Sequence, residues 1–183
     1  MEILDICTEE GLPTGETVDR ETAHRDGILH RTAHVWIVRR REGRWQVLLQ
    51  KRSENKDSFP GLYDTSSAGH IPAGVEPVPS ALRELQEELG ITARPEQLRF
   101  IGFFRIDYTE EFHGKPFHDN EFTSVYAYEE DVDADSLRLQ AEEIQSVKWF
   151  DLEEVREGLR PGTQFCVPPP GFAVLTRYLE GKQ

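Results

Sequence analysis

The sequence predicts an α/β fold in which mixed strands and a few inserted helices form layers around one sheet. Three observations carry this. Apolar, β-rich runs of strand length recur along the 183 residues, segments of helical period interrupt them, and the connections are short and rich in Gly, Pro, Asn and Asp. With 37% hydrophobic and 30% charged residues, the chain can bury one full core and is short for two. A single domain over residues 1–183 is expected, with residues 1–27 as an N-terminal extension packed on it, because no repeat, low-complexity tract or long linker divides the chain.

In chain order, EILDIC reads as a short strand, EEGLPTG as a turn, and ETV as a strand that Asp19 ends by capping the helix RETAH. A hairpin follows: HRTAHVWIVRRR and RWQVLLQKR are alternating or apolar runs joined by Glu42 and Gly43. SENKDSFPG is a loop and LYDTSSA a strand. GHIPAGVEPVP makes a tight loop before a helix over about residues 80–89, stopped by Gly90 as a left-handed cap. Next, LRFIGFFRIDY and EFTSVYAYEE are long strands around a loop TEEFHGKPFHDN, VKWFDLEEVREGL is a strand running into a helix, and GFAVLTRYLEG is a last helix after three prolines.

Composition narrows the function. The net charge of −13 works against unspecific attachment to nucleic acid or anionic lipid. A polyanion binds such a chain only through a local basic patch or a metal. No apolar run approaches the roughly 18 residues of a membrane span, and MEILDICTEEG is acidic where a signal peptide is basic and then apolar. A cytoplasmic protein is expected. Cys7 and Cys166 are too few for a disulfide framework and lack metal-ligand spacing, so both are read as free, partly buried thiols.

The stretch RELQEELG, residues 83–90, sets Glu84, Glu87 and Glu88 on one helical face. An acidic face is ordinarily just a solvated one, but a stable helix usually mixes the signs, and only Arg83, four residues before Glu87, does so here. The apolar positions Ala81, Leu82, Leu85 and Leu89 lie opposite or beside the glutamates, so the helix can pack on a sheet while showing its carboxylates.

Quoted with its preceding loop, GHIPAGVEPVPSALRELQEELGI over residues 69–91 resembles the Nudix box. Gly69, Arg83, Glu84, Leu85, Glu87, Glu88, Gly90 and Ile91 stand in register. One position departs: Val75 occupies the place of the first box glutamate, and Glu76 comes one residue later. The resemblance implies a mixed, curved sheet sandwiched between helices. It also implies that Glu87 and Glu88 are metal ligands, Glu84 a ligand or supporting group, and the Ala68 carbonyl a further ligand; Arg83 is expected to orient a neighbouring carboxylate by a bidentate pair. Mg²⁺ or Mn²⁺ is the implied cofactor, because hard cations take carboxylate oxygens together with substrate phosphates. Either Glu76 replaces the missing glutamate through a local shift, or the site is weaker.

Outside the box, ILHRTAHVWI, LLQKRSENKDSFPGLYDTSSAGH and HDNEFTSVYAY resemble type I isopentenyl-diphosphate isomerase, which shares the fold. That enzyme needs a cysteine just before its Gly-His, where this chain has Ala68, and neither Cys7 nor Cys166 matches its pattern. Its metal-ligand positions correspond to His24 (one residue out of register), His30, His70, Asp119 and Glu121, a possible second metal site suited to Mn²⁺ or Zn²⁺. Arg52 and Lys56 match its diphosphate contacts. Phe59, Tyr63, Phe103, Phe104 and Tyr108 can stack a base or fill the core, while His34, His113 and His118 receive no role.

The expected activity is metal-dependent hydrolysis of a diphosphate linkage in a nucleoside di- or triphosphate, or in another nucleoside diphosphate linked to a group X. Glu84, Glu121 and Glu143 are the candidate bases. Isopentenyl-diphosphate isomerisation and a catalytically silent nucleotide-binding module are the alternatives. The partner is a small organic diphosphate, not a nucleic acid or membrane, and the chain is a monomer or homodimer.

Overall fold

The structure is a computed structural model that describes residues 1–56 and 58–182; Asp57, in the expected loop after the second hairpin strand, lies outside the described residues. Its elements are β1 (Ile3–Cys7), β2 (Pro13–Asp19), α1 (Arg20–Asp26), β3 (His30–Arg41), β4 (Arg44–Arg52), β5 (Tyr63–Asp64), β6 (Ser67–His70), α2 (Pro77–Leu89), β7 (Leu98–Phe112), β8 (Lys115–Tyr128), β9 (Ile144–Asp151), α3 (Leu152–Gly158) and α4 (Pro169–Glu180).

Strand β3 is the axis. Along one edge it pairs in parallel with β8 from His30–Glu121 to Ile37–Tyr128. Along the other it pairs antiparallel in succession with β1 at His30, with β6 over residues 32–35 and with β4 over residues 37–41. The sheet is therefore mixed. Both faces of β3 are covered, and its alternation divides the core. Ala33, Val35 and Ile37 pack with Leu48 against Ala81, Leu85 and Leu89 of α2. Trp36 and Val38 pack with Val47 and Leu49 against Phe172, Leu175 and Leu179 of α4. Helices thus flank a mixed sheet, as expected.

The first hairpin has the expected bounds, with Glu42 and Gly43 both at positive φ, the conformation of a two-residue turn that matches strand twist. Helix α1 is capped as read, by a hydrogen bond of 2.9 Å from the Thr22 amide to Asp19 Oδ1.

Three expectations are corrected. The stretch LYDTSSA is two short strands, because β5 pairs with β4 and β6 with β3, so the chain crosses between partners at Thr65 and Ser66. There the Ser66 hydroxyl replaces a strand, accepting from the Ile37 amide at 2.8 Å and donating to the Leu48 carbonyl. Helices α2 and α4 begin three and two residues earlier than expected, at Pro77 and Pro169, since a first helical residue needs no amide donor. The stretch TEEFHGKPFHDN is the outer part of a continuous hairpin, paired from Thr109–His118 to Phe112–Lys115 and closed by His113 and Gly114, both at positive φ. This arm projects beyond the core with exposed polar residues, so it lacks the alternation that marks a half-buried strand.

Candidate active site

A cavity of about 490 Å³ opens between α2, the ends of β3, β6 and β8, and the loop after β4. The box glutamates stand along one wall. The Gly69 backbone lies so close to Glu84 that a Cβ there would sit 2.3 Å from the carboxylate carbon, so any larger residue would displace the Glu84 side chain. The strand end is tied to the helix through the His70 carbonyl, which accepts from Ser80 Oγ at 3.2 Å and Arg83 Nη2 at 3.3 Å.

The three glutamates occupy different environments. Glu88 is buried and accepts from Ser67 Oγ at 2.9 Å and Gln50 Nε2 at 3.4 Å. Burial and the neighbouring Glu84 push its carboxyl up to about 8, against the relief from Ser67. Glu84 is largely covered and accepts from Arg83 Nη2; burial raises its carboxyl despite that pair. Glu87 is more than half exposed, with Arg83 Nε at 3.8 Å. All three line the cavity, yet they turn toward different neighbours instead of converging on one point. Arg83 reaches each carboxylate through one nitrogen, not through the bidentate fork expected for it.

Val75 does not give way to Glu76. The Val75 side chain packs on the α2 side of the core, and its carbonyl accepts from Arg31 Nη2 at 3.0 Å. Arg31 is itself held by buried Asp5 at 2.9 Å. Glu76 is exposed at the N-cap of α2 and does not line the cavity.

Opposite the box, the expected histidines come together. His30 and Glu121 are register partners across β3 and β8, and His70 pairs with Thr32, two residues from His30, so their side chains lie on one face. Asp119 shares that face, two residues before Glu121. His24, one residue out of register in sequence, enters from α1. The three imidazole centroids form a near-equilateral triangle with sides of 5.0, 5.2 and 5.2 Å. One ligand atom from each of His24, His30, His70 and Glu121 lies within 4.8 Å of every other. Glu121 Oε1 is 3.7 Å from Nε2 of both His30 and His70, and Asp119 Oδ1 is 3.5 Å from His24 Nε2.

The separations of 3.5 and 3.7 Å match ligand atoms about 2.1 Å from a shared cation, which stand about 3–4 Å apart. His30 Nε2, His70 Nε2 and Asp119 Oδ1 are buried without a hydrogen-bond partner. Buried polar atoms are rarely left so, and imidazoles with carboxylates are a donor set for Mn²⁺ or Zn²⁺. Burial alone would raise Glu121, but the His30 and His70 imidazoles, each with Nε2 3.7 Å from its Oε1, outweigh it and hold its carboxyl below the usual range. Burial and the Glu121 charge push Asp119 the other way.

Arg52 and Lys56 line the same cavity, each already engaged. Arg52 donates to the Ser58 carbonyl at 2.9 Å, Ser58 Oγ at 3.0 Å and Asp64 Oδ2 at 3.1 Å; Lys56 pairs with Glu143. Of the five aromatic residues singled out, only Phe59 and Tyr108 line the cavity; Tyr63 and Phe104 belong to the core, and Phe103 is on the outer surface, 60% exposed. His34 lines the cavity and is kept neutral by burial. Cys166 also lines it, although its sequence position gave no hint of this, and burial followed by the Asp64 charge keeps its thiol protonated. Sequence reasoning missed Glu2 and Arg20, which reach the cavity from the N-terminal segment; their only signal is that they flank a hairpin leading into His24.

The NUDIX domain family model matches residues 28–165, and the chain belongs to the Nudix family. It is 41% identical over 169 residues to Nudix hydrolase 3 of Arabidopsis thaliana, covering 91% of this chain but spanning about a fifth (21%) of that relative's length. An uncharacterised Nudix hydrolase of Clostridium acetobutylicum is 38% identical over 154 residues, 84% of this chain and 72% of the relative. Isopentenyl-diphosphate Delta-isomerase of Escherichia coli is 27% identical over 155 residues, 84% of this chain and 79% of the relative. Among solved structures, DR0079 from Deinococcus radiodurans superposes with a TM-score of 0.71 over 97% of this chain and 99% of that one; at 20% identity it speaks for the fold alone. Two of these relatives are thus named as Nudix hydrolases and one as an isomerase. No helix among the described residues is long and apolar enough to cross a membrane.

Proposed function

We propose that this protein hydrolyses a diphosphate linkage in a nucleoside di- or triphosphate, or in another nucleoside diphosphate linked to a group X, using Mg²⁺ or Mn²⁺. What carries the reading is that Glu84, Glu87 and Glu88 line one cavity together with Arg52 and Lys56. Turned in from the separate neighbours they have here, Glu84, Glu87 and Glu88 with the Ala68 carbonyl would hold a divalent cation, which would neutralise phosphate oxygens and acidify the attacking water. Arg52 grips the anion with its planar fork, and Lys56 adds a point charge. Substrate phosphates take over part of the pairing that Asp64 and Glu143 now provide. The water oxygen bonds to phosphorus as the anhydride P–O bond breaks, and the departing phosphate leaves with that electron pair.

The proton goes to Glu84 or Glu143. Glu84 is favoured by its raised pKa, which brings a carboxylate nearer to neutrality, while Glu143 is positioned at the cavity by Lys56. Glu121 suits a ligand better than a base, because the histidines around it stabilise its ionised form. Together with His24, His30, His70 and Asp119 it would hold a second ion. Hydrolysis in ¹⁸O-labelled water tests the proposal: the label must enter a phosphate product, in a reaction that a chelator stops.

A second reading, isopentenyl-diphosphate isomerisation, is favoured by the histidine cluster. Ala68 stands against it, since the cavity's one thiol, Cys166, is held protonated. Formation of dimethylallyl diphosphate from isopentenyl diphosphate decides between them.

A further inference from the structure

A neutral imidazole that ligates through Nε2 must carry its proton on Nδ1, and the acceptor facing Nδ1 fixes both the tautomer and the ring. In the histidine cluster two rings are pinned by backbone. His24 Nδ1 lies 2.9 Å from the Arg20 carbonyl and His30 Nδ1 lies 2.8 Å from the Ile28 carbonyl. His70 has no such carbonyl. Its Nδ1 faces Glu2 Oε2 at 3.5 Å, while its Nε2 is buried, unpartnered and turned to Glu121.

We propose that Glu2 is the positioning residue of this centre: its carboxylate fixes the His70 ring with Nε2 toward the shared point between His24, His30 and Glu121. The inference rests on the reading of that cluster as a metal site. Glu2 lies outside the segment matched by the family model, and it reaches the cavity because its own backbone is fastened. The Glu2 carbonyl accepts from the Arg20 amide at 3.0 Å, and the next residue, Ile3, is paired with Asp19 across β1 and β2. Arg20 Nε stands 3.9 Å from the Glu2 carboxylate and favours its charged form. About a third of the Glu2 side chain is exposed, so it is not a core contact whose loss would by itself unfold the strand.

The same N-terminal segment also provides His24. Two of the three imidazoles would therefore depend on residues that precede the family domain, one as the ligand itself and one through its orienting partner.

The test is Co²⁺ binding to the full chain, carrying any purification tag at its C-terminus, with excess Mg²⁺ present to occupy carboxylate-only sites. Affinity is read by calorimetry and ligand geometry by the visible d–d bands. Glu2→Ala should weaken Co²⁺ about 10- to 100-fold and shift the bands, as loss of an outer partner of a ligating histidine does. Glu2→Gln should recover most of the affinity, because its amide oxygen still accepts from Nδ1–H. His30→Ala, remote from Glu2, should weaken binding in any case. Wild-type affinity in Glu2→Ala with weakened binding in His30→Ala would overturn the role of Glu2 and leave the centre standing. If neither variant weakens binding, the centre is wrong and the role falls with it. Equal losses in Glu2→Ala and Glu2→Gln that track a lower melting temperature of the metal-free proteins would also overturn it, in favour of a purely structural contact.

Discussion

Glu88 is the residue at which fold and chemistry pull hardest against each other. It ionises near 4.5 in the unfolded chain and near 8 in the folded, metal-free protein. Between those values the folded state holds a proton that the unfolded state has released, so stability is fully present below about pH 4.5 and is lost as the pH rises toward 8. The melting temperature of metal-free protein should fall across that window, and Glu88→Gln should remove most of the slope. For turnover, Glu88→Gln and Glu87→Gln should each lose at least about 100-fold in kcat/KM with an unchanged circular dichroism spectrum, a ligand mattering at least as much as its outer partners. Arg52→Lys keeps the charge but loses the fork; it should raise KM about tenfold or more, near the value of one charge-assisted hydrogen bond. At this scale much was legible. The resemblances singled out the box glutamates, His70, Asp119 and Glu121, which line one cavity, and His30, buried beside them, whereas Glu2 and Cys166 reach it only through tertiary packing.

Among the elements, the β6 to α2 junction packs backbone directly against a box glutamate. A Cβ at Gly69 meets the Glu84 carboxyl at 2.3 Å, so Gly69→Ala must displace a side chain already held by Arg83. Destabilisation of about 1–3 kcal/mol is expected, a fall of several degrees in melting temperature, with a larger proportional loss of activity because Glu84 moves. Leu85, fully buried between α2 and the sheet, tests packing without touching the cavity: Leu85→Ala should cost about 2–5 kcal/mol in denaturant unfolding. Elements with a period were readable, as the bounds of β3 and β4 demonstrate. Those whose stability comes from a partner were not. The outer β7–β8 hairpin has polar outward residues and is held by its ladder and by Phe112 against Phe117, and the first turns of α2 and α4 lie within proline-rich stretches that look like loop.

The whole molecule carries a charge of −13, yet the proposed substrate is an anion. Binding would therefore depend on local charge: Arg52 and Lys56, which line the cavity, and the cations that its carboxylates and histidines would hold. Activity without divalent metal should accordingly be negligible, since an empty carboxylate wall repels phosphate. Mixed strands and the apolar side of the box helix indicated an α/β fold around one sheet, but the α/β/α layering came from the family resemblance; the partner changes along β3 were not legible, because they depend on which edges meet in space. The most direct measurement is phosphate or diphosphate release from a panel of nucleoside di- and triphosphates, nucleotide sugars, dinucleoside polyphosphates and prenyl diphosphates, with Mg²⁺ or Mn²⁺, with chelator, and with Glu88→Gln. Turnover of a nucleoside diphosphate compound that requires metal and disappears in Glu88→Gln is the predicted result. Turnover that survives both chelator and Glu88→Gln would contradict the assignment of the box glutamates.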